Sequence, residues 1–330
     1  MTDSNVPNED NGNRRIRQMA GRSVLVVGAN GFVGSHVARA LVNAGHRVTG
    51  FGMPLDVDLI ADLRERVQMC IGSAETPADV SGAFDAARPD AVVWAAGHNA
   101  NASGLFATGE SDPARALSVN ALGLFNVLQA AQQRGVQRAV ITGSLVSFGP
   151  ASFYSTTHVD EDAQLRPTTG YGLSKALGEH VAQYFRERFC MDVSTLRLSV
   201  VFGPGRWYGG VVSTLNRLLA EARPGDSAQC MVPAEPFDLV HVADVATATR
   251  LAIESPRPLR GAYHVNSLTT TYAELARSIE RQVPGYRIHC TTVPAPIVYP
   301  LMKFDLIRED LGFTPAYDLD GAIADCLKHR

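Results

Sequence analysis

A tyrosine and a lysine four residues apart can do chemistry together. In Tyr171-Gly172-Leu173-Ser174-Lys175 the i, i+4 spacing places both side chains on one face of a helix. A tyrosine with its ordinary pKa of about 10 is a poor base at neutral pH. A nearby ammonium favours the phenolate and lowers that pKa, so the pair can hold and move a hydroxyl proton. The pattern is short and recurs by chance, and it gains meaning only from companions. One is Ser144, which closes the strand Ile141-Thr142-Gly143-Ser144. Strand C-termini face the ligand crevice in open α/β sheets, and a serine there can hydrogen-bond a substrate oxygen. Another is Asn120, inside the apolar helical stretch Ser118-Val119-Asn120-Ala121-Leu122-Gly123. If buried it needs partners, and a structural bond explains it as well as a catalytic one.

Near the start stands Gly28-Ala29-Asn30-Gly31-Phe32-Val33-Gly34, between an apolar strand and an amphipathic helix. Its glycines permit a tight turn and close backbone approach, and the helix start offers free N–H groups and positive dipole to a pyrophosphate. The spacing is G-x-x-G-x-x-G, not the commoner G-x-G-x-x-G. An ordinary β–α turn is the plainer explanation, but the strand–turn–helix context favours a cofactor.

The positioning elements alternate. Ser23 to Val27 is a short, continuous, β-branched run, as a buried parallel strand should be. Phe32 to Ala44 has helical periodicity. Strands follow at His46 to Phe51, Ala91 to Ala95, Gln137 to Thr142 and Val193 to Leu198. Helices are expected from Thr76-Pro77 toward Ala87, from Asp112-Pro113 to about Arg134, and over Thr168 to Phe189. The pattern predicts an α/β chain with a Rossmann-type, doubly wound parallel sheet covered on both faces. The expected division is a mobile tail at 1–21 and a dinucleotide-binding domain at 22–202. A smaller substrate lobe takes 203–236 and 256–330, with 237–255 returning to the first domain.

The 330 residues are 45% hydrophobic and 19% charged, enough for a large core, and the net charge of −3 offers no basic field for nucleic acid. No apolar run has the length of a membrane span, and the first residues lack the apolar core of a secretory signal. The five cysteines are odd in number, scattered and without a C-x-x-C, so a disulfide framework or zinc site is not expected and a reducing cytoplasm fits. The nine histidines show no metal-ligand spacing.

Taken together, these residues resemble the extended short-chain dehydrogenase/reductase superfamily, the NAD-dependent epimerase/dehydratase group. The resemblance runs from about Arg22 almost to the end. It includes Trp94-Ala95-Ala96-Gly97, Ser118-Val119-Asn120, Ser144, Tyr171-x-x-x-Lys175 and Leu196-Arg197 leading to Val201-Phe202-Gly203-Pro204-Gly205. Val240-His241-Val242-Ala243-Asp244-Val245-Ala246 and Leu311-Gly312-Phe313-x-Pro315 continue it. The resemblance implies that Tyr171 is the acid/base, that Lys175 binds the nicotinamide ribose and tunes Tyr171, and that Ser144 orients the reacting oxygen. Gly28, Asn30, Gly31, Phe32, Val33 and Gly34 would hold the dinucleotide with Ala95, Ala96, Gly97, Asn120, Tyr171 and Lys175. A hydride would pass between the nicotinamide and a substrate carbon. The helices around 113–134 and 168–189 would pair across a homodimer as a four-helix bundle.

The departures bear on specificity. Many NAD-dependent relatives carry an Asp at the end of the second strand, where this chain has Gly52, with Asp56 and Asp58 a little further on. No Arg or Lys stands there to hold a 2′-phosphate. NAD is therefore the expected cofactor, with NADP left open. Ser73 replaces the adenine-side Asp. Phe237 stands where sugar-nucleotide members place an Arg against a diphosphate, though Arg206, Arg217 and Arg223 lie near it in sequence. In Arg206-Trp207-Tyr208-Gly209-Gly210, Arg206 is a candidate carboxylate partner and Trp207 a candidate ring face. A loop anchored by packed aromatics explains the run equally well. His98 is a further candidate substrate contact. Leu145 and Val146 follow Ser144 in place of the acid pair of dehydratases. The leading expectation is an NAD(P)-dependent oxidoreductase or epimerase for a small hydroxy acid, sugar acid or hydroxy-ketone. Alternatives are a sugar-nucleotide 4-epimerase and a non-catalytic dinucleotide-binding regulator.

Overall fold

The apolar runs of the first half become neighbouring strands of one sheet. A computed structural model describes residues 21–100, 102–210 and 212–330. The expected tail therefore lies outside the described residues except for Gly21. β1 (Ser23–Val27) is buried along its whole length. α1 (Phe32–Asn43), β2 (Arg47–Gly52), β3 (Val67–Ile71), α2 (Pro77–Ala87) and β4 (Ala91–Trp94) follow. After α3 (Leu105–Ser111), α4 (Pro113–Leu117) and α5 (Leu124–Gln133) come β5 (Arg138–Ser144), β6 (His158–Val159), α6 (Gly170–Phe189) and β7 (Asp192–Leu198). The chain continues through β8 (Val200–Phe202), α7 (Ser213–Glu221), β9 (Ser227–Val232), β10 (Phe237–His241), α8 (Val242–Glu254) and β11 (Ala262–Val265). It ends with β12 (Leu268–Thr270), α9 (Tyr272–Gln282), β13 (Arg287–Thr292), β14 (Leu301–Met302), α10 (Asp305–Leu311) and α11 (Leu319–Lys328).

The large sheet has seven strands in the order β11-β7-β5-β4-β1-β2-β3, every pair parallel. This is the expected Rossmann-type α/β architecture. Alternate residues of each strand face opposite layers. Val24, Val26, Val93 and Val140 join one core, while Leu25, Val27, Val92 and Ile141 join the other. Strand order reverses beside β1, which opens a crevice at the strand C-termini. Register concentrates the site there: Val27 pairs with Trp94, and Trp94 with Ile141. The glycine turn, the exit of β4 and the end of β5 thus emerge side by side.

The second half forms a separate apolar core that includes Leu215, Tyr272, Ile279, Tyr286 and Ile323. Its strands are β12-β10-β8 and the pair β13-β9. The observed pairings differ from the expected division in three places. β11 lies in the stretch 256–330 assigned to the smaller lobe, yet it is an edge strand of the large sheet. β8, assigned to the first domain, pairs with β10 in the small sheet. Within 237–255, β10 belongs to the small sheet, while Val240 and, from α8, Val245, Ala248 and Ala252 join the large core. The expected single helix to Arg134 is interrupted by a π-helical segment, Ser118–Gly123, between α4 and α5. Such segments are rare single turns with i→i+5 bonds, and no residue type in Ser118–Gly123 announces one.

Candidate active site

The turn after β1 is shaped by contacts that only glycine allows. Gly28 has φ +85°, and a Cβ there would lie 2.7 Å from the Ala96 nitrogen. A Cβ on Gly34 would lie 1.9 Å from the Gly28 carbonyl oxygen. Gly34 therefore lets α1 pack on β1 and does not itself line the crevice. Gly31 is different: its Cβ would meet only the Gly28 oxygen, at 3.3 Å. Gly31 caps α1 with no side-chain hydrogen bond, and the first turn contains no acid. The N–H groups at this 12-residue helix start stay available to an anion. Asn30 Nδ2 donates to the Met53 carbonyl at 2.6 Å and ties the turn to the exit of β2.

Tyr171 is set by a close helix crossing. Thr169 Oγ1 accepts from the Gly172 N–H at 3.1 Å and caps α6. A Cβ on Gly109 of α3 would stand 2.7 Å from the Tyr171 Cβ, and one on Gly170 would stand 2.3 Å from the Gly109 oxygen. These glycines let α3 press on the first turn of α6 and bury Tyr171 at the wall. Lys175, one turn on, is also buried and donates from Nζ to the Thr142 carbonyl at 3.0 Å. Its Nζ lies 5.9 Å from the Tyr171 ring centre. Ser144, at the end of β5, accepts from the Val146 N–H at 3.4 Å and stands close enough to the Tyr171 hydroxyl to favour its phenolate. Tyr171, Lys175 and Ser144 therefore face one cavity.

Burial dominates the titration of both groups. It holds the Tyr171 phenol above its ordinary value, reinforced by Tyr208, while the Ser144 hydroxyl and the Arg206 charge pull the other way. The expected tuning of Tyr171 by Lys175 is not among these influences. Burial pushes Lys175 down to about 8.

The cavity measures about 570 Å³ and runs from Met53 and Ser73, past Gly31 and the Ala95–Gly97 strand exit, to Tyr171, Arg206 and Trp207. Phe32, Val33 and His98 also line it. Asn120, expected at the cofactor, is not in its wall. Asn120 Oδ1 accepts from the His98 N–H at 3.1 Å and its Nδ2 donates to Ser174 Oγ at 2.9 Å. It ties the exit of β4 to α6. Asp56 and Asp58 are likewise absent from the wall, and Asp58 pairs with Arg64. Glu75 and Arg115 line the Ser73 end as a pair 2.8 Å apart. Their types and spacing gave no sign of this.

At the other end, Arg206 Nη1 donates to the Val201 carbonyl at 2.7 Å and its guanidinium lies over the Tyr208 ring. Arg206 Nε and Trp207 Nε1 are buried and have no hydrogen-bond partner. Phe237 stacks at a tilt on Tyr272, with ring centres 5.1 Å apart, and is not part of the wall. Tyr208 is a wall residue that the sequence presented only as part of an aromatic run. The cradle suits a dinucleotide: uncapped backbone donors for a pyrophosphate, one lysine beside a tyrosine, and no acid at the helix start.

A family model described as the NAD dependent epimerase/dehydratase family matches residues 24–266. A dTDP-4-dehydro-6-deoxy-D-allose reductase of Streptomyces bikiniensis is 32% identical over 316 residues, covering 90% of this chain and 92% of that protein. The mitochondrial L-threonine 3-dehydrogenase of Sus scrofa is 28% identical over 233 residues, 68% of this chain and 61% of that protein. Among solved structures, L-threonine dehydrogenase from Clostridium difficile matches with a TM-score of 0.80 at 22% identity, over 94% of this chain and 97% of that one. The UDP-glucose 4-epimerase of Thermus thermophilus in complex with NAD matches at 0.77 and 24% identity, over 93% and 98%. At these identities the structural matches establish the fold.

Proposed function

Since the chain belongs to the NAD-dependent epimerase/dehydratase family, we propose that it interconverts a secondary alcohol and a ketone on a small carboxylate-bearing substrate. The family's enzymes are oxidoreductases and epimerases, and NAD is the cofactor. In this reading the helix start at Gly31–Val33 and Lys175 hold NAD, which supplies a hydride acceptor or donor when bound. Tyr171 holds the proton. Because burial keeps its phenol protonated, it is ready to give that proton to a carbonyl oxygen during reduction. Ser144 holds the same oxygen in place, and Thr142 fixes the Lys175 ammonium.

The observation that carries the substrate class is Arg206, a wall residue whose guanidinium has no carboxylate partner among the described residues and whose Nε has no acceptor. Buried donors without acceptors are costly, and a carboxylate offers two acceptor oxygens to a charge-assisted bond. The test is a turnover panel of hydroxy acids, sugar acids and hydroxy-ketones with NAD. Saturable NADH formation with an acid supports the reading, and activity confined to uncharged substrates contradicts it.

A second reading, reduction or epimerisation of a nucleotide sugar, is favoured by the 32% identity to the dTDP-sugar reductase. Against it, the position where sugar-nucleotide members carry an Arg against a diphosphate is Phe237, which packs on Tyr272 outside the cavity wall. Micromolar binding of a dTDP- or UDP-sugar, with turnover, would promote it.

The reading includes a homodimer. Leu122, Leu173, Leu177 and Tyr184 are exposed apolar side chains on the π segment and α6, and light scattering at the mass of two chains tests their pairing. Free cysteines suit a reducing, cytoplasmic setting. Among the described residues no helix is long and apolar enough to cross a membrane.

A further inference from the structure

Cysteines scattered in sequence need not be scattered in space. β9 and β13 run parallel with Cys230 directly opposite Cys290, and their sulfurs lie 3.2 Å apart. Opposed residues on adjacent strands sit about 4.8 Å apart with side chains on the same face. That is within the roughly 4.4–6.8 Å between Cα atoms that a disulfide accepts. Closing the bond needs a sulfur movement of only about 1 Å and no shift of register. Cys230 points inward with Ala228 and Val232, whereas Cys290 is exposed. One sulfur is therefore reachable from solvent and the other is held behind it. Cys230 lies in the second apolar core with Tyr272, which stacks on Phe237.

We propose that Cys230 and Cys290 are a thiol-modification site that reacts with a small disulfide and closes into a reversible cross-strand disulfide. The exposed Cys290 loses its proton and its sulfur attacks one sulfur of a reagent such as glutathione disulfide. A mixed disulfide forms and one reagent thiolate leaves. Cys230 then loses its proton and attacks the Cys290 sulfur, which expels the second reagent thiolate. Both thiolates take up the released protons. Two protein thiols are oxidised and one reagent disulfide is reduced to two thiols. Burial, the Cys230 sulfur and Glu280 push the Cys290 thiol up to about 12. The exchange is therefore slow at neutral pH and accelerates as pH rises.

The test uses the full chain, incubated with glutathione disulfide at mildly alkaline pH, alkylated and mapped by mass spectrometry. A Cys230–Cys290 peptide is expected, with the free thiols falling by two from five. The melting temperature should rise by roughly 4–8 °C, and dithiothreitol should reverse both changes. Cys230→Ala should trap the mixed disulfide on Cys290, and Cys290→Ala should leave Cys230 unmodified. Retention of all five thiols, glutathione left on wild-type Cys290 without internal exchange, or a bridge between chains would overturn the proposal.

Discussion

Two glycine turns meet at the cavity wall and work in opposite ways. The turn after β1 presents backbone: Gly28, Gly31 and the uncapped start of α1, with no charged side chain. The turn after β8 uses Gly203 and Gly205, at φ +141° and +83°, to bring in side chains: Arg206, Trp207 and Tyr208. The two meet where Phe32 and Tyr208 pack edge to face and His36 bonds the Pro204 carbonyl at 3.1 Å. Backbone donors recognise a phosphate whatever the neighbouring side chains are, so glycine spacing alone announces the first turn. Recognition in the second depends on which side chains fill it, and no spacing rule encodes that.

The largest effect should come from the group between the two turns. Tyr171→Phe removes the proton and keeps the ring, and kcat should fall by roughly 10²–10⁴ with NAD affinity nearly unchanged. Steady-state kinetics with calorimetry check this, and near-normal turnover would remove Tyr171 from the mechanism. The backbone turn is probed by a pair of variants. Gly31→Val should fold and bind NAD at least about tenfold more weakly, a loss of roughly 1.4 kcal/mol. Gly34→Val should fail to fold, because its Cβ would stand 1.9 Å from the Gly28 oxygen. Equal NAD affinity in Gly31→Val and wild type would reduce this turn to a structural feature.

Arg206→Leu tests the side-chain turn. A charge-assisted bond is worth about 1.5–3 kcal/mol, so kcat/KM for an acid substrate should drop by roughly 10- to 100-fold while NAD binding holds. A uniform loss over charged and uncharged substrates would contradict the carboxylate assignment.

Lys175 ties the site to stability. Its folded value of about 8 lies below the ordinary 10.5, so between these values the unfolded chain binds more protons. Stability from this group therefore rises with pH across that window, and below about pH 8 the full burial penalty remains. Lys175→Met should stabilise the fold at neutral pH by up to about 3 kcal/mol, less the lost Thr142 bond. The gain should vanish near pH 10.5. Denaturant midpoints measured across the window read the sign directly. The smallest effect is expected from Phe237→Arg. Phe237 stands outside the wall, and the variant should gain no nucleotide-sugar turnover in a coupled assay.

The same contrast explains what the sequence revealed. Parallel strands buried on both faces read as apolar runs, so the sheet was legible, and Tyr171, Lys175 and Ser144 converge because strand ends and helix faces obey simple periods. Asn120 was visible but its role was not, since its partners His98 and Ser174 come from separate elements. The Gly109–Gly170 crossing left no pattern, because Gly109 is explained by the close approach of Tyr171 and Gly170 by that of the Gly109 carbonyl, each on another element. The place of β11 in the large sheet leaves no sign in the sequence, because strand–helix alternation fades after Phe202, where β8 and β10 leave for another sheet.

The proposed function rests on hydride transfer at the crevice that the two turns border. NADH carrying deuterium at both C4 positions of the nicotinamide, offered to the enzyme with a panel of keto acids and keto sugars, tests it most directly. Deuterium is expected on the new carbinol carbon of a keto-acid product, with a greatly slowed transfer in Tyr171→Phe. A reduced product carrying only solvent hydrogen at that carbon would contradict it.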